Sequence, residues 1–372
     1  MLYKPKTLVI LTPGFPKDES DTTCLPLQQA LIKAIKKHYP EINLLILSFQ
    51  YPFKKRSYTW CGVPVEAFGG RGRGKLMRVY NWAKVWLALK KIRKNKEVIG
   101  LLSFWLGECA FIAEQFARLY HLKHYCWILG QDAKPGNRYC TMANMSGSSL
   151  LALSDFLAGN MYINYGVMPQ YVIPGGIDET MFRNGNKERH IDVLAAGSLI
   201  PLKQYHLFIE VICRLRHQFP HIKAVLCGDG PDKQRLMQMI KRLKMEDHIT
   251  LVGEIPHDEV LDLMQQSKVF LHTSNYEGLG MVCLEALYAG AKVISFVRPM
   301  DDAIPNWHVT ENTYCMAGIA ASILSNPRVR YHAVAPYKIA GIAGQIMQLY
   351  VPKPAVTSLK RDAIALKESV DW

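Results

Sequence analysis

Residues 270–290 read FLHTSNYEGLGMVCLEALYAG and gather the groups of this chain best suited to holding a phosphate beside a polyol. An apolar run ends near His272, a glycine-containing loop follows, and a helix is expected to begin around Gly280. A helix start presents backbone N–H groups without intrahelical partners, and its dipole adds positive potential, so it makes an anion site. Gly278 and Gly280 let a phosphate or sugar come close to the main chain. Glu277 and Glu285 stand eight residues apart, the first on the loop and the second inside the helix. A carboxylate near bound phosphates suits a ribose diol, because it accepts two hydroxyl hydrogen bonds at once. Acids also occur at helix starts simply to complement the dipole. On the pair alone that plainer reading is the favoured one.

The elements that position these groups follow from the apolar pattern. Short apolar runs mark buried strands over 7–11, 43–49, 99–104, 125–129, 150–153 and 171–173. A second series covers 192–195, 223–226, 249–251, 269–272 and 292–295. Helical periodicity lies between most of them, as at 26–38, 76–93, 207–218, 233–243 and 280–288. Continuous apolar strands separated by helices imply parallel sheets covered on both faces. The series occurs twice, so two doubly wound, Rossmann-like domains are expected, with ligands at the carboxyl ends of the strands. The boundaries are drawn at 1–173 for the first domain, 174–190 for a Gly- and Asn-rich linker and 191–334 for the second. A tail at 335–372 contains a helix, around 339–349, that crosses back to the first domain.

A chain of 372 residues suits two cores, and its composition, 49% hydrophobic and 20% charged, is that of a globular protein. The net charge of +14 is unevenly placed: residues 1–173 hold 23 Lys and Arg against 10 Asp and Glu, and the remainder holds 22 against 21. Such a basic half attracts nucleic acid, anionic lipid or an anionic substrate. The nine cysteines are scattered without a Cys-x-x-Cys pair and read as reduced thiols of a cytoplasmic protein. The longest apolar run, VIGLLSFWLG, stops at Glu108, well short of the roughly 20 residues a spanning helix needs. The helix 75–94 mixes Trp82, Trp86 and Leu89 with Lys84, Lys90, Lys91, Arg93 and Lys94. It is either an interfacial membrane helix or a core helix with a solvated basic face, and the charge imbalance favours peripheral membrane contact.

The motif around the two acids resembles family 4 glycosyltransferases, with Ser274, Glu277, Gly278, Gly280, Glu285, Ala286 and Gly290 on the matching positions. The resemblance covers residues 1–300 and is specific for 191–290. It implies the GT-B architecture, with Glu277 on the transferred sugar and Glu285 on the ribose. The amides of Gly278, Leu279, Gly280 and Met281 would take the sugar and diphosphate. In LAAGSLIPLKQYHLFIEVI, Lys203 aligns with the lysine that neutralises the donor diphosphate, and Ser198 stands where the family usually has arginine. By the same resemblance Gly228 would belong to the loop facing the nucleotide, and the backbone around Ile255 would line the base pocket. In the first half, Gly14 follows the first strand, where the family often has paired glycines touching the diphosphate or acceptor; a plain turn is the alternative. Asp132, in CWILGQDAKPGNRY, either binds a hydroxyl as a member of the catalytic set or caps the next turn. Trp105 either stacks on a sugar or fills the core.

The resemblance implies a retaining, metal-independent glycosyltransferase. Its partners would be a nucleotide-sugar donor and a glycan or lipid-linked acceptor of cell-surface polysaccharide assembly. No Asp-x-Asp motif is present, and no cofactor beyond the nucleotide sugar is implied. A nucleotide-sugar epimerase of the same architecture and a basic nucleic-acid-binding protein are the alternatives. The two acids beside the phosphate site argue against nucleic acid.

Overall fold

The computed structural model describes residues 4–70, 74–183, 185 and 187–351. Arg71 and Arg73 of the basic half, and the tail beyond residue 351, lie outside the described residues. The first sheet contains β1 (Lys6–Gly14), β2 (Asn43–Tyr51), β3 (Arg56–Trp60), β4 (Val63–Ala67), β5 (Glu97–Phe104), β6 (His124–Ile128), β7 (Leu150–Ala152) and β8 (Tyr171–Val172). The second contains β9 (Ile191–Ala196), β10 (Ala224–Cys227), β11 (Ile249–Gly253), β12 (Ser267–His272), β13 (Lys292–Ser295) and β14 (Trp307–Val309). Their spatial orders are β3-β4-β2-β1-β5-β6-β7-β8 and β11-β10-β9-β12-β13-β14. Every pairing is parallel except β3 with β4.

The sequence explains this arrangement. The central strands β1, β2, β5, β9 and β12 are almost continuously buried, as strands covered on both faces must be. The strand order reverses beside β1 in the first sheet and beside β9 in the second, so the crevices open above these strands. The hairpin β3–β4 was not expected from the sequence. Four of the five β3 residues stay at least partly exposed, so this edge strand lacks the apolar run that marks the others.

The helix Ile339–Tyr350 returns to the first sheet. Tyr350 donates its hydroxyl to the Leu101 carbonyl at 2.7 Å, and its ring lies where a side chain on Gly100 would stand. One apolar core runs through both halves, from Leu8 and Ile46 to Phe270 and Leu284. The basic helix Lys75–Asn95 buries Asn81, Val85, Leu89 and Ile92. Its Trp82 and Trp86 pack on Phe111 and Phe116, with ring centroids 5.3 and 5.1 Å apart. The apolar residues that suggested a lipid-facing surface therefore face the protein. A different set, Leu76, Val79, Tyr80 and Leu87, points outward. Among the described residues no helix is long and apolar enough to cross a membrane.

Candidate active site

The loops that follow β9, β10, β11 and β12 meet on one side of the cleft between the sheets. Glu277 stands on the loop after β12, and the helix Met281–Tyr288 begins three residues beyond Gly278. Gly280, which precedes the helix, has φ 74°, a left-handed conformation that glycine adopts without a Cβ penalty. This turn aims the first N–H groups of the helix along its axis without intrahelical acceptors. Gly278 is needed for another reason: a Cβ there would sit 2.5 Å from the Leu129 carbonyl oxygen of the first domain. Ser154 donates its hydroxyl to the Gly278 carbonyl, and Tyr276 donates to the Gly130 carbonyl at 2.9 Å. The loop is thus clamped to the opposite wall of the cleft.

Lys203, carried by a short turn after β9, places its Nζ 2.5 Å from Glu277 Oε2. His272, the last residue of β12, places Nε2 3.1 Å from the same oxygen. Burial opposes the charge on Glu277, but the His272 hydrogen bond and the Lys203 ammonium outweigh it and hold the carboxyl at about 2. Burial pushes the His272 pKa down, and Lys203 adds to that against the pull of Glu277. A neutral ring therefore donates to an ionised Glu277. The result is an anion and a cation held in register beside a helix N-terminus.

Glu285 lies inside the helix with Oε1 3.0 Å from His257 Nε2, and this hydrogen bond raises the His257 pKa against the opposing effect of burial. Glu285 and His257 border two cavities. One, of about 270 Å³, is lined by Gly197, Ser198, Gly228, Asp229, Glu254, Ile255 and Val282. The other, of about 440 Å³, lies between the domains and is lined by Leu25, Leu27, Trp105, Ile177, Phe182 and Met281. Across the cleft, a third cavity of about 260 Å³ is bounded by Pro13, Gln50, Arg78, Trp105, Glu108 and Tyr139. There Glu108 accepts from Gln50 Nε2 at 2.6 Å and Trp82 Nε1 at 2.8 Å. Trp105 borders two of these cavities with φ 63°, a conformation rare for a bulky residue and a mark of a constrained site.

The structure brings Glu277, Lys203, Glu285, Gly278, Gly280, Met281, Ser198, Gly228 and Ile255 to this cleft. Two expected site residues are placed differently. Asp132 is not aimed into the cleft: its carboxylate accepts from the amides of Leu106 and Gly130 at 2.9 and 2.8 Å and of Leu129 at 3.2 Å. Burial raises its pKa while these amides pull the other way, and both oxygens are occupied in fixing the loop. Gly14 lies in the β1 ladder against Tyr51, and it is Pro13 that lines a cavity. Leu279, expected to contribute its amide, packs its side chain in the core and is 1% exposed. His272, His257 and Glu108 were missed. His272 sits inside the quoted motif and His257 directly after Pro256, yet a single histidine in an apolar setting carries no spacing signal. Among the described residues no group of three or more His, Cys, Asp or Glu side chains could hold a metal ion.

Residues 176–304 match the family described as Glycosyl transferases group 1. The gpi3 subunit of phosphatidylinositol N-acetylglucosaminyltransferase from Schizosaccharomyces pombe is 38% identical over 121 residues, which is 32% of this chain and 26% of that protein. The putative colanic acid biosynthesis glycosyltransferase WcaL of Salmonella typhimurium is 26% identical over 182 residues, 45% of each chain. The matches thus span between about a quarter and just under half the length of these curated relatives. Anabaena HepE, solved with UDP and glucose, superposes with a TM-score of 0.67 at 16% identity, covering 93% of this chain and 99% of that one. That likeness establishes the two-domain GT-B fold.

Proposed function

We propose that this chain, whose residues 176–304 match the glycosyl transferases group 1, moves a sugar from a nucleoside diphosphate donor to a hydroxyl of a glycan or lipid-linked acceptor, in the assembly of a cell-surface polysaccharide. The observation that carries this reading is the placement of Glu277, paired with Lys203, and Glu285 on either side of one helix N-terminus that faces the interdomain cleft. The nucleoside fits the cavity of about 270 Å³, with its base along Glu254 and Ile255 and its ribose at Glu285. The diphosphate then meets the first amides of the helix Met281–Tyr288 together with Lys203. The acceptor faces the cavity of the first domain that contains Trp105 and Glu108.

The reaction breaks the bond between the anomeric carbon and the diphosphate oxygen and forms one from the acceptor oxygen to the same carbon. The acceptor proton passes to the departing diphosphate. Lys203 and the helix amides stabilise the negative charge that develops there. Glu277, kept ionised by Lys203 and His272, orients the sugar hydroxyls. Attack on the face from which the diphosphate leaves retains the anomeric configuration. We read the reaction as independent of divalent cations, because Lys203 already stands as a cation for the phosphates and the sequence has no Asp-x-Asp motif.

Peripheral contact with an anionic membrane belongs to the same reading. Leu76 is 87% exposed on the basic helix, and Val79, Tyr80 and Leu87 accompany it beside Lys90, Lys91 and Lys94. A screen of UDP- and GDP-sugars for nucleoside diphosphate release, with simple glycosides as acceptors and with and without EDTA, tests the donor assignment and the metal independence. Release from one donor class that EDTA leaves unchanged is expected. Absence of both release and nucleotide binding across the panel contradicts the proposal. Proton NMR of the product reports the anomeric configuration.

A further inference from the structure

The second acid of the site is already engaged. Glu285 Oε1 bonds His257 Nε2 at 3.0 Å, and the two side chains border the nucleotide-side cavity and the interdomain cavity together. His257 follows Pro256 directly, so the backbone that ends the base-side loop also carries this ring onto the start of the helix His257–Gln265. The ring is bonded at one nitrogen only: Nδ1 is buried and without a hydrogen-bond partner among the described residues. A proton on Nδ1 would be a buried donor with no acceptor, which is unfavourable. The proton of the neutral ring therefore belongs on Nε2, from where it donates to Glu285.

We infer that His257 is a positioning residue for ribose recognition: its Nε2–H fixes the Glu285 carboxylate, whose remaining lone pairs accept the ribose hydroxyls of a nucleoside diphosphate. This rests on the nucleotide-sugar reading above. A carboxylate has about four acceptor sites, so one bond from His257 leaves enough for a vicinal diol. An unbraced glutamate loses rotamer freedom when a ligand orders it. A carboxylate ordered in advance spares the ligand that cost, which is how preorganisation raises affinity. The same ring sits beside Ile255, so ribose and base recognition share one loop and respond together to changes in it.

Calorimetric titration of the full chain with UDP and GDP, each beside its 2′-deoxy analogue, tests the inference. For the nucleotide that the unaltered chain binds, His257→Ala weakens affinity by about tenfold with an unchanged melting temperature. His257→Gln, whose amide still donates, recovers affinity to within about threefold. The penalty for removing the ribose 2′-hydroxyl shrinks in His257→Ala, because Glu285 is no longer fixed to receive it. A purely structural role would leave that penalty unchanged. Equal affinity of His257→Ala and the unaltered chain, or an equal 2′-deoxy penalty in both, overturns the inference while the donor reading stands. An unaltered chain that binds neither nucleotide overturns the donor reading, and the inference with it.

Discussion

Glu277 is where burial and charge compete most directly. A half-hidden carboxylate would ordinarily resist ionisation, yet Lys203 and His272 bring its pKa from the usual 4.5 to about 2. A folded pKa below the unfolded one means that the interaction stabilises the fold fully above about pH 4.5 and loses that contribution as pH falls toward about 2. Urea unfolding of the parent and of Glu277→Gln should therefore differ most near neutrality and converge in acid; a difference constant with pH contradicts the pairing. Lys203 serves a second purpose, because the diphosphate needs the same cation. Lys203→Ala should lower turnover by about 100-fold, the scale of losing one preorganised charge partner, a larger effect than its loss of stability. Full turnover in that variant would place the phosphates elsewhere.

At the scale of elements, the loop before the helix Met281–Tyr288 is fixed by close approach as well as by hydrogen bonds. A methyl group on Gly278 would stand 2.5 Å from the backbone oxygen of Leu129, which cannot yield as a flexible side chain would. Gly278→Ala should push the loop off the first domain, lowering turnover strongly while each sheet still folds; unchanged kinetics would show that the clamp does not position the site. Much of this was legible in the sequence. The central strands carry continuous apolar runs, and the helix Pro26–His38 and β13 lie where the periodicity put them. The motif around Glu277 and Glu285 stood out because several residue types coincide at fixed offsets. Other parts were not legible. The edge strand β3 has no apolar run to announce it. Asp132 resembles a site residue in one dimension, and only the fold shows three backbone amides converging on its carboxylate. Whether Trp82 and Trp86 face lipid or the core stayed open in the sequence because the partners that cover them, Phe111 and Phe116, are remote in it.

At the scale of the whole molecule, one half is strongly basic and the other nearly neutral, and the exposed apolar residues of the helix Lys75–Asn95 lie on the basic half. Trp82 and Arg78 of that helix also reach the cavity containing Glu108, so the proposed membrane face and the proposed acceptor side share one element. Vesicles containing phosphatidylglycerol should sediment the chain, and added salt should weaken the association through screening. Replacing Leu76 and Leu87 by serine should reduce binding several-fold without affecting nucleotide affinity. Equal recovery with neutral and anionic vesicles would contradict the membrane contact. The helix Ile339–Tyr350 ties the second half back to the first through Tyr350 and Leu101. The two walls of the cleft are therefore joined both at the linker and at this return.

The central claim is that two acids flank one helix N-terminus and divide the donor between them, Glu285 taking the ribose and Glu277 the sugar. Titrating Glu285→Ala and Glu277→Ala with a nucleoside diphosphate and with the corresponding nucleotide sugar tests it most directly. Glu285→Ala should weaken both ligands equally, by about 1.5–3 kcal/mol. Glu277→Ala should weaken only the ligand that carries the sugar. Affinities for both ligands that match the unaltered chain in both variants would contradict the account.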